Sequence, residues 1–131
     1  MSAARLDEHF IHLGLGASAA SLPPFTGMEW YADYGARAAG DGAEGRLVSQ
    51  YAFTESWTAW EMHPAGAEVV ICTAGAMVLV QEHLDGRRET VALAAGEYAI
   101  NLPGVWHTAD VAEAATAIFI TAGEGTQHRP R

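Results

Sequence analysis

From Leu47 onward the chain alternates apolar and polar residues with a period of two, in short runs rich in Val, Ile, Thr and aromatic residues. The pattern predicts strands at 47–54, 56–63, 68–74, 76–83, 87–93, 97–102, 106–111 and 115–121. Turn residues punctuate them; Asp85-Gly86, for example, joins VLVQEHL to RRETVAL as a tight hairpin. Short strands at regular spacing, with no convincing helix, predict an all-β sandwich or barrel. The first third reads differently. Residues 5–14 (RLDEHFIHLG) suit a short strand or a helical turn, and residues 36–46 suit a loop. The Ala-, Ser-, Gly- and Pro-rich segment between them carries Phe25, Met28, Trp30 and Tyr31, as an arm that packs on something would. The expected organisation is an N-terminal arm (1–34), a β-barrel domain (35–122) and a tail (123–131). The tail is expected to be disordered; otherwise Thr126, Gln127, His128 and Arg129 would fold along the barrel and add to a binding surface.

Composition narrows the function. A chain of 131 residues, half of them apolar, fits one domain with a real core. Sixteen acids against seven arginines give a net charge of −9, which makes nucleic acid and anionic membranes poor partners. With no lysine, Schiff-base chemistry through a side-chain amine is excluded. The single cysteine, Cys72, lies in an apolar strand and has no partner for an internal disulfide. No apolar run reaches membrane-spanning length and nothing resembles a signal peptide, so the expected compartment is the cytoplasm.

The candidate chemistry sits in two stretches. In WEMHPAGAEVVICTAG (60–75), Glu61 and His63 share one strand face, Pro64 and Gly66 break the strand, and Glu68 opens the next. In GEYAINLPGVWHTADV (96–111), a strand and a Pro103-Gly104 turn lead to His107. Two imidazoles and one or two carboxylates converging on one side of a sheet suit a metal ion.

These stretches resemble the two motifs of the cupin superfamily, small jelly-roll barrels with a metal near the barrel axis. His63, Glu68 and Gly75 fill slots of the first motif, and Gly96, Gly104 and His107 slots of the second, over about residues 55–111. The sequence departs at Glu61, which stands where the pattern has a histidine. Glu55 and Val111 replace a glycine and an asparagine, and the turn proline is displaced to Pro103. The resemblance implies a cupin-type jelly-roll barrel binding a divalent ion (iron, manganese, zinc or nickel) through His63, Glu68, His107 and Glu61. Alternatively, Glu61 hydrogen-bonds a ligand and leaves a two-histidine, one-carboxylate set.

Two functions follow: a metalloenzyme, dioxygenase- or isomerase-like, acting on a small oxygenated molecule, or a non-catalytic module binding a small molecule in the same pocket. Parity makes Trp57 the candidate pocket wall, while His9, His12 and His83 read as surface residues. Exposed sheet edges and the aromatic arm predict a homodimer.

Overall fold

The computed structural model describes residues 1–131. Ten strands run antiparallel: β1 (Ile11–Gly14), β2 (Ser18–Ser21), β3 (Arg46–Phe53), β4 (Ala59–Met62), β5 (Glu68–Glu82), β6 (Arg88–Ala94), β7 (Tyr98–Asn101), β8 (Trp106–Asp110), β9 (Ala115–Thr121) and β10 (Gln127–Pro130). They form two faces of a jelly roll. One face is ordered β2-β1-β3-β9-β5-β7, the other β10-β4-β8-β5-β6.

Strand β5 belongs to both faces. Its first half pairs with β7 and β9 and its second half with β6 and β8, with a register shift between Cys72 and Ala74. The two strands expected at 68–74 and 76–83 are therefore one strand that bends at Gly75. That glycine has φ +68°, and a Cβ there would run into the carbonyl of Ala114, so no other residue fits the crossing. Alternate residues of β5 (Val70, Cys72, Met77, Leu79) meet Leu93, Ala109, Ala117 and Phe119 in the barrel core. Cys72 is fully buried there and unpaired.

The N-terminal third holds more regular structure than the sequence suggests. Strand β1 adds to the free edge of β3, pairing Ile11 with Val48. Helix α1 (Trp30–Ala38), where none was expected, runs on into a 3-10 stretch at Ala39–Glu44, the segment predicted as a loop. The helix was illegible because it is only nine residues long with Gly35 in its interior, and its docking is aromatic. Phe10, Leu22, Trp30 and Leu47 form a second core, with Trp30 stacked on Tyr34 at 5.3 Å. The tail, expected to be disordered, is strand β10. It pairs with β4, placing His128 opposite Glu61, and Arg129 lies over the rings of Trp60 and Trp106. No helix is long and apolar enough to cross a membrane.

Candidate metal centre

The jelly roll brings the predicted residues together from separate strands. Glu61 is on β4, directly opposite His107 on β8, and His63 follows the end of β4. Glu68 opens β5, opposite Asn101 of β7. His63, Glu68 and His107 are 5%, 2% and 0% exposed, whereas the Glu61 side chain is one-third exposed. The imidazole centroids of His63 and His107 are 5.1 Å apart.

The geometry converges on one point. Glu68 approaches His63 Nε2 at 3.0 Å through Oε2 and His107 Nε2 at 3.1 Å through Oε1, and Glu61 Oε2 lies 3.8 Å from both nitrogens. One donor atom each from Glu61, His63 and His107 fit within 4.8 Å of one another, as a metal-holding group requires. Donors roughly 2.1 Å from a shared ion sit about 3.0–3.5 Å apart, so these separations suit a single metal.

Hydrogen bonding fixes the ring tautomers. The Thr126 hydroxyl donates to the Gly123 carbonyl at 2.8 Å, so its 2.8 Å contact with His63 Nδ1 requires the ring N–H to donate. His107 Nδ1 faces the Val105 carbonyl at 3.4 Å, an acceptor only. In the neutral rings both Nε2 atoms then carry lone pairs, and these face carboxylates. Neither buried Nε2 has an aligned hydrogen-bond partner, despite its closeness to Glu68. Lone pairs facing carboxylates in a buried site need a cation between them, either protons or a metal ion.

Glu68 is further held by Asn101 Nδ2, donating at 3.1 Å, and Thr121 Oγ1, donating at 2.7 Å. Gln81 Nε2 in turn donates to Asn101 Oδ1. Burial alone would push the Glu68 carboxyl up, but His107 and His63 hold it well below the usual carboxylate range. Burial alone would lower the His107 imidazole, but Glu68 raises it above its ordinary value.

The centre opens on a cavity of about 960 Å³ lined by Tyr31, Tyr51, Phe53, Trp57, Phe119 and His128, among others. Trp57 lies in the loop before β4 rather than in the expected strand, yet it lines this wall and packs edge-on against His107 at 6.2 Å. The Tyr31 and Tyr51 hydroxyls bond each other, and burial raises both phenols.

Thr126 and His128 arrive on the tail, which folds along the barrel as the alternative to disorder had it, and His128 Nε2 lies 3.3 Å from Glu61 Oε1. Other residues were not legible in the sequence. His12, read as a surface residue, is largely buried. Its Nε2 donates to Asp41 at 2.6 Å, so its Nδ1 accepts from the Tyr34 hydroxyl at 2.7 Å. His9 is half-buried beside the Leu22 carbonyl. His83 is also half-buried, 3.0 Å from Glu89, rather than freely exposed. No local periodicity marks any of these pairs.

No family model and no curated protein matches the sequence. Solved structures do. Oxalate oxidase aligns over 70% of this chain and 50% of its own, with 18% identity and a TM-score of 0.58. Hydroquinone 1,2-dioxygenase from Sphingomonas sp. TTNP3, with 4-hydroxybenzoate bound, aligns over 58% of each chain at 14% identity and a TM-score of 0.53. Peruvianin-I, a cysteine peptidase from Thevetia peruviana latex, aligns over 63% of this chain and 54% of its own at 20% identity, TM-score 0.53. The chain spans about half the length of these structures. Together with the two-faced jelly roll and the convergence of β4, β5 and β8, this likeness shows that the chain has the fold of a small cupin.

Proposed function

We propose that the chain is a metal-binding cupin whose His63, His107, Glu68 and Glu61 hold one divalent ion and whose cavity takes a small oxygenated molecule. The observation that carries this reading is the pair of buried Nε2 atoms, held in the ligating tautomer and left without aligned partners against carboxylates. Nitrogen and oxygen donors suit iron, manganese, zinc or nickel. When bound, such an ion supplies Lewis acidity toward a coordinated oxygen.

The protein's own groups do the rest. Tyr31, Tyr34 and Tyr51 have raised pKa values, so at neutral pH they donate hydrogen bonds and do not abstract protons. Cys72 is fully buried and its thiol faces the Ala74 carbonyl, which argues against a cysteine nucleophile. The oxidase and the dioxygenase of similar fold favour an oxygen-using reaction as the enzymatic form of this proposal. The apolar inner wall of the cavity, formed by Phe53, Trp57 and Phe119, favours the second reading, a non-catalytic binding module. Oxygen consumption by the metal-loaded protein separates the two.

A homodimer is the assembly we propose. Its support is Tyr98 and Ile100, exposed on the same face of β7, with exposed Leu102 just past its end; β7 pairs only with β5. The lone buried thiol supports a cytoplasmic setting. The metal reading is tested by metal content: the isolated protein should carry about one equivalent, and His63→Ala/His107→Ala should carry almost none while remaining folded. Full occupancy in the double variant overturns it.

A further inference from the structure

The cavity beside the metal centre has three properties that together define a ligand class. It is large, at about 960 Å³, so a two-carbon diacid would leave most of it filled with water. Its walls are aromatic: Tyr31, Tyr34, Tyr51, Phe53, Trp57 and Phe119 line it. Tyr51, Phe53, Trp57 and Phe119 touch one another edge-on or tilted at 5.6–6.2 Å, an arrangement that offers ring faces and edges to a flat guest. Finally, none of the seven arginines lines it, and the chain has no lysine. Arg88 and Arg129 lie over Trp60, Arg131 pairs with Asp110, and Arg87 with Glu89.

The acids reinforce the absence of cations. Exposed Glu55 and Glu124 line the cavity, so an approaching carboxylate meets negative charge. Deeper in, Glu61 and Glu68 would already balance a divalent ion, so a carboxylate would add an uncompensated charge. An ammonium is not repelled, because the same acids and the ring faces attract a cation, but it has no lone pair for a metal. An uncharged ring escapes the penalty on an anion, and a hydroxyl on it can meet the ion or the Tyr31–Tyr51 hydroxyl pair.

We infer that the cavity selects an uncharged, hydroxylated aromatic molecule over small carboxylates, an inference that rests on the metal-binding reading of the same site.

Two probes of one shape isolate negative charge: 4-hydroxybenzyl alcohol and 4-hydroxybenzoate. Each is titrated calorimetrically into manganese-loaded protein, and metal content is measured on the same sample. The alcohol should bind at least tenfold more tightly than the benzoate. Phe53→Ala should weaken it without changing metal content. Glu55→Arg/Glu124→Arg should raise the affinity for 4-hydroxybenzoate several-fold, because it reverses the charge of two exposed lining residues. The aromatic walls do not depend on the ion, so metal-free protein should keep the same ranking at lower affinity. Loss of metal with the ranking kept would therefore count against the metal reading alone. Equal or tighter binding of the benzoate, or binding of neither probe, overturns the ligand class.

Discussion

His63 donates its Nδ1 proton to Thr126, a residue 63 positions further along the chain, at 2.8 Å. The Thr126 hydroxyl is committed to the Gly123 carbonyl, so this one contact sets which nitrogen of His63 faces Glu68. A turn in the C-terminal segment thus governs the tautomer of a side chain just past the end of β4.

Thr126→Val should therefore lower metal affinity about tenfold or more, the loss seen when the partner that orients a ligand is removed. Thr126→Ser should keep the affinity, since it keeps the hydroxyl. Competitive metal titration checks both, with the melting temperature of the metal-free forms as the control for folding. Equal affinity in wild type and Thr126→Val would show that the contact does not orient the ring.

Glu61 is the position where the chain parts from the two-histidine opening of the motif, and its Oε2 is equidistant, at 3.8 Å, from both ring nitrogens. If it ligates, Glu61→Gln should cost an order of magnitude or more in affinity. Glu61→His should shift preference from harder toward softer ions. Metal competition at a single pH measures both. Unchanged content and selectivity in the two variants would assign Glu61 to hydrogen bonding with His128 instead.

Alkaline unfolding should report on the arm. Burial, and then Asp41, push Tyr34 up to about 12 from an ordinary value of 10.0. Below pH 10 the phenol is protonated whether folded or unfolded, so its contribution to stability is fully present. Between pH 10 and 12 the unfolded chain ionises first, and that contribution is lost. Melting temperature should fall across this window, and less steeply in Tyr34→Phe. Tyr31 and Tyr51, also raised, act in the same direction. A wild-type profile flat to pH 12 would contradict this account.

Sedimentation at micromolar concentration should find a dimer, and Ile100→Asp on the exposed face of β7 should dissociate it. The arm does not need a partner for this: Trp30 is 7% exposed, buried against the chain's own Phe10, Leu22 and Leu47. Deleting residues 1–34 should therefore destabilise the barrel rather than only split a dimer. A monomer in both wild type and Ile100→Asp would rule out this face.

Local pattern was enough to define the barrel. A period of two along β3 to β9, the Asp85-Gly86 turn and the two His-bearing motifs depend only on side chains alternating across a strand and on the φ values a turn demands. Gly75 was legible as a motif glycine, but not as the bend that lets one strand serve two faces, because the clash it avoids comes from Ala114, far along the chain.

What only the tertiary structure decided was set by contacts between distant segments. The helix at Trp30–Ala38 is short, carries Gly35 in its interior, and is held by aromatic packing. Strand β10 has no apolar run at all; it exists because β4 leaves an edge to pair and Trp60 and Trp106 leave rings for Arg129 to cover. Three of the residues that face the metal centre or its cavity, Tyr31, Tyr34 and His128, ride on those two elements, and Thr126 lies in the turn that leads into β10. Sequence alone determined which side chains could ligate an ion. Which groups orient them, and which walls enclose the space beside them, followed from chain-end segments docking on the barrel, because such docking is stabilised by buried surface and paired backbone rather than by any local periodicity.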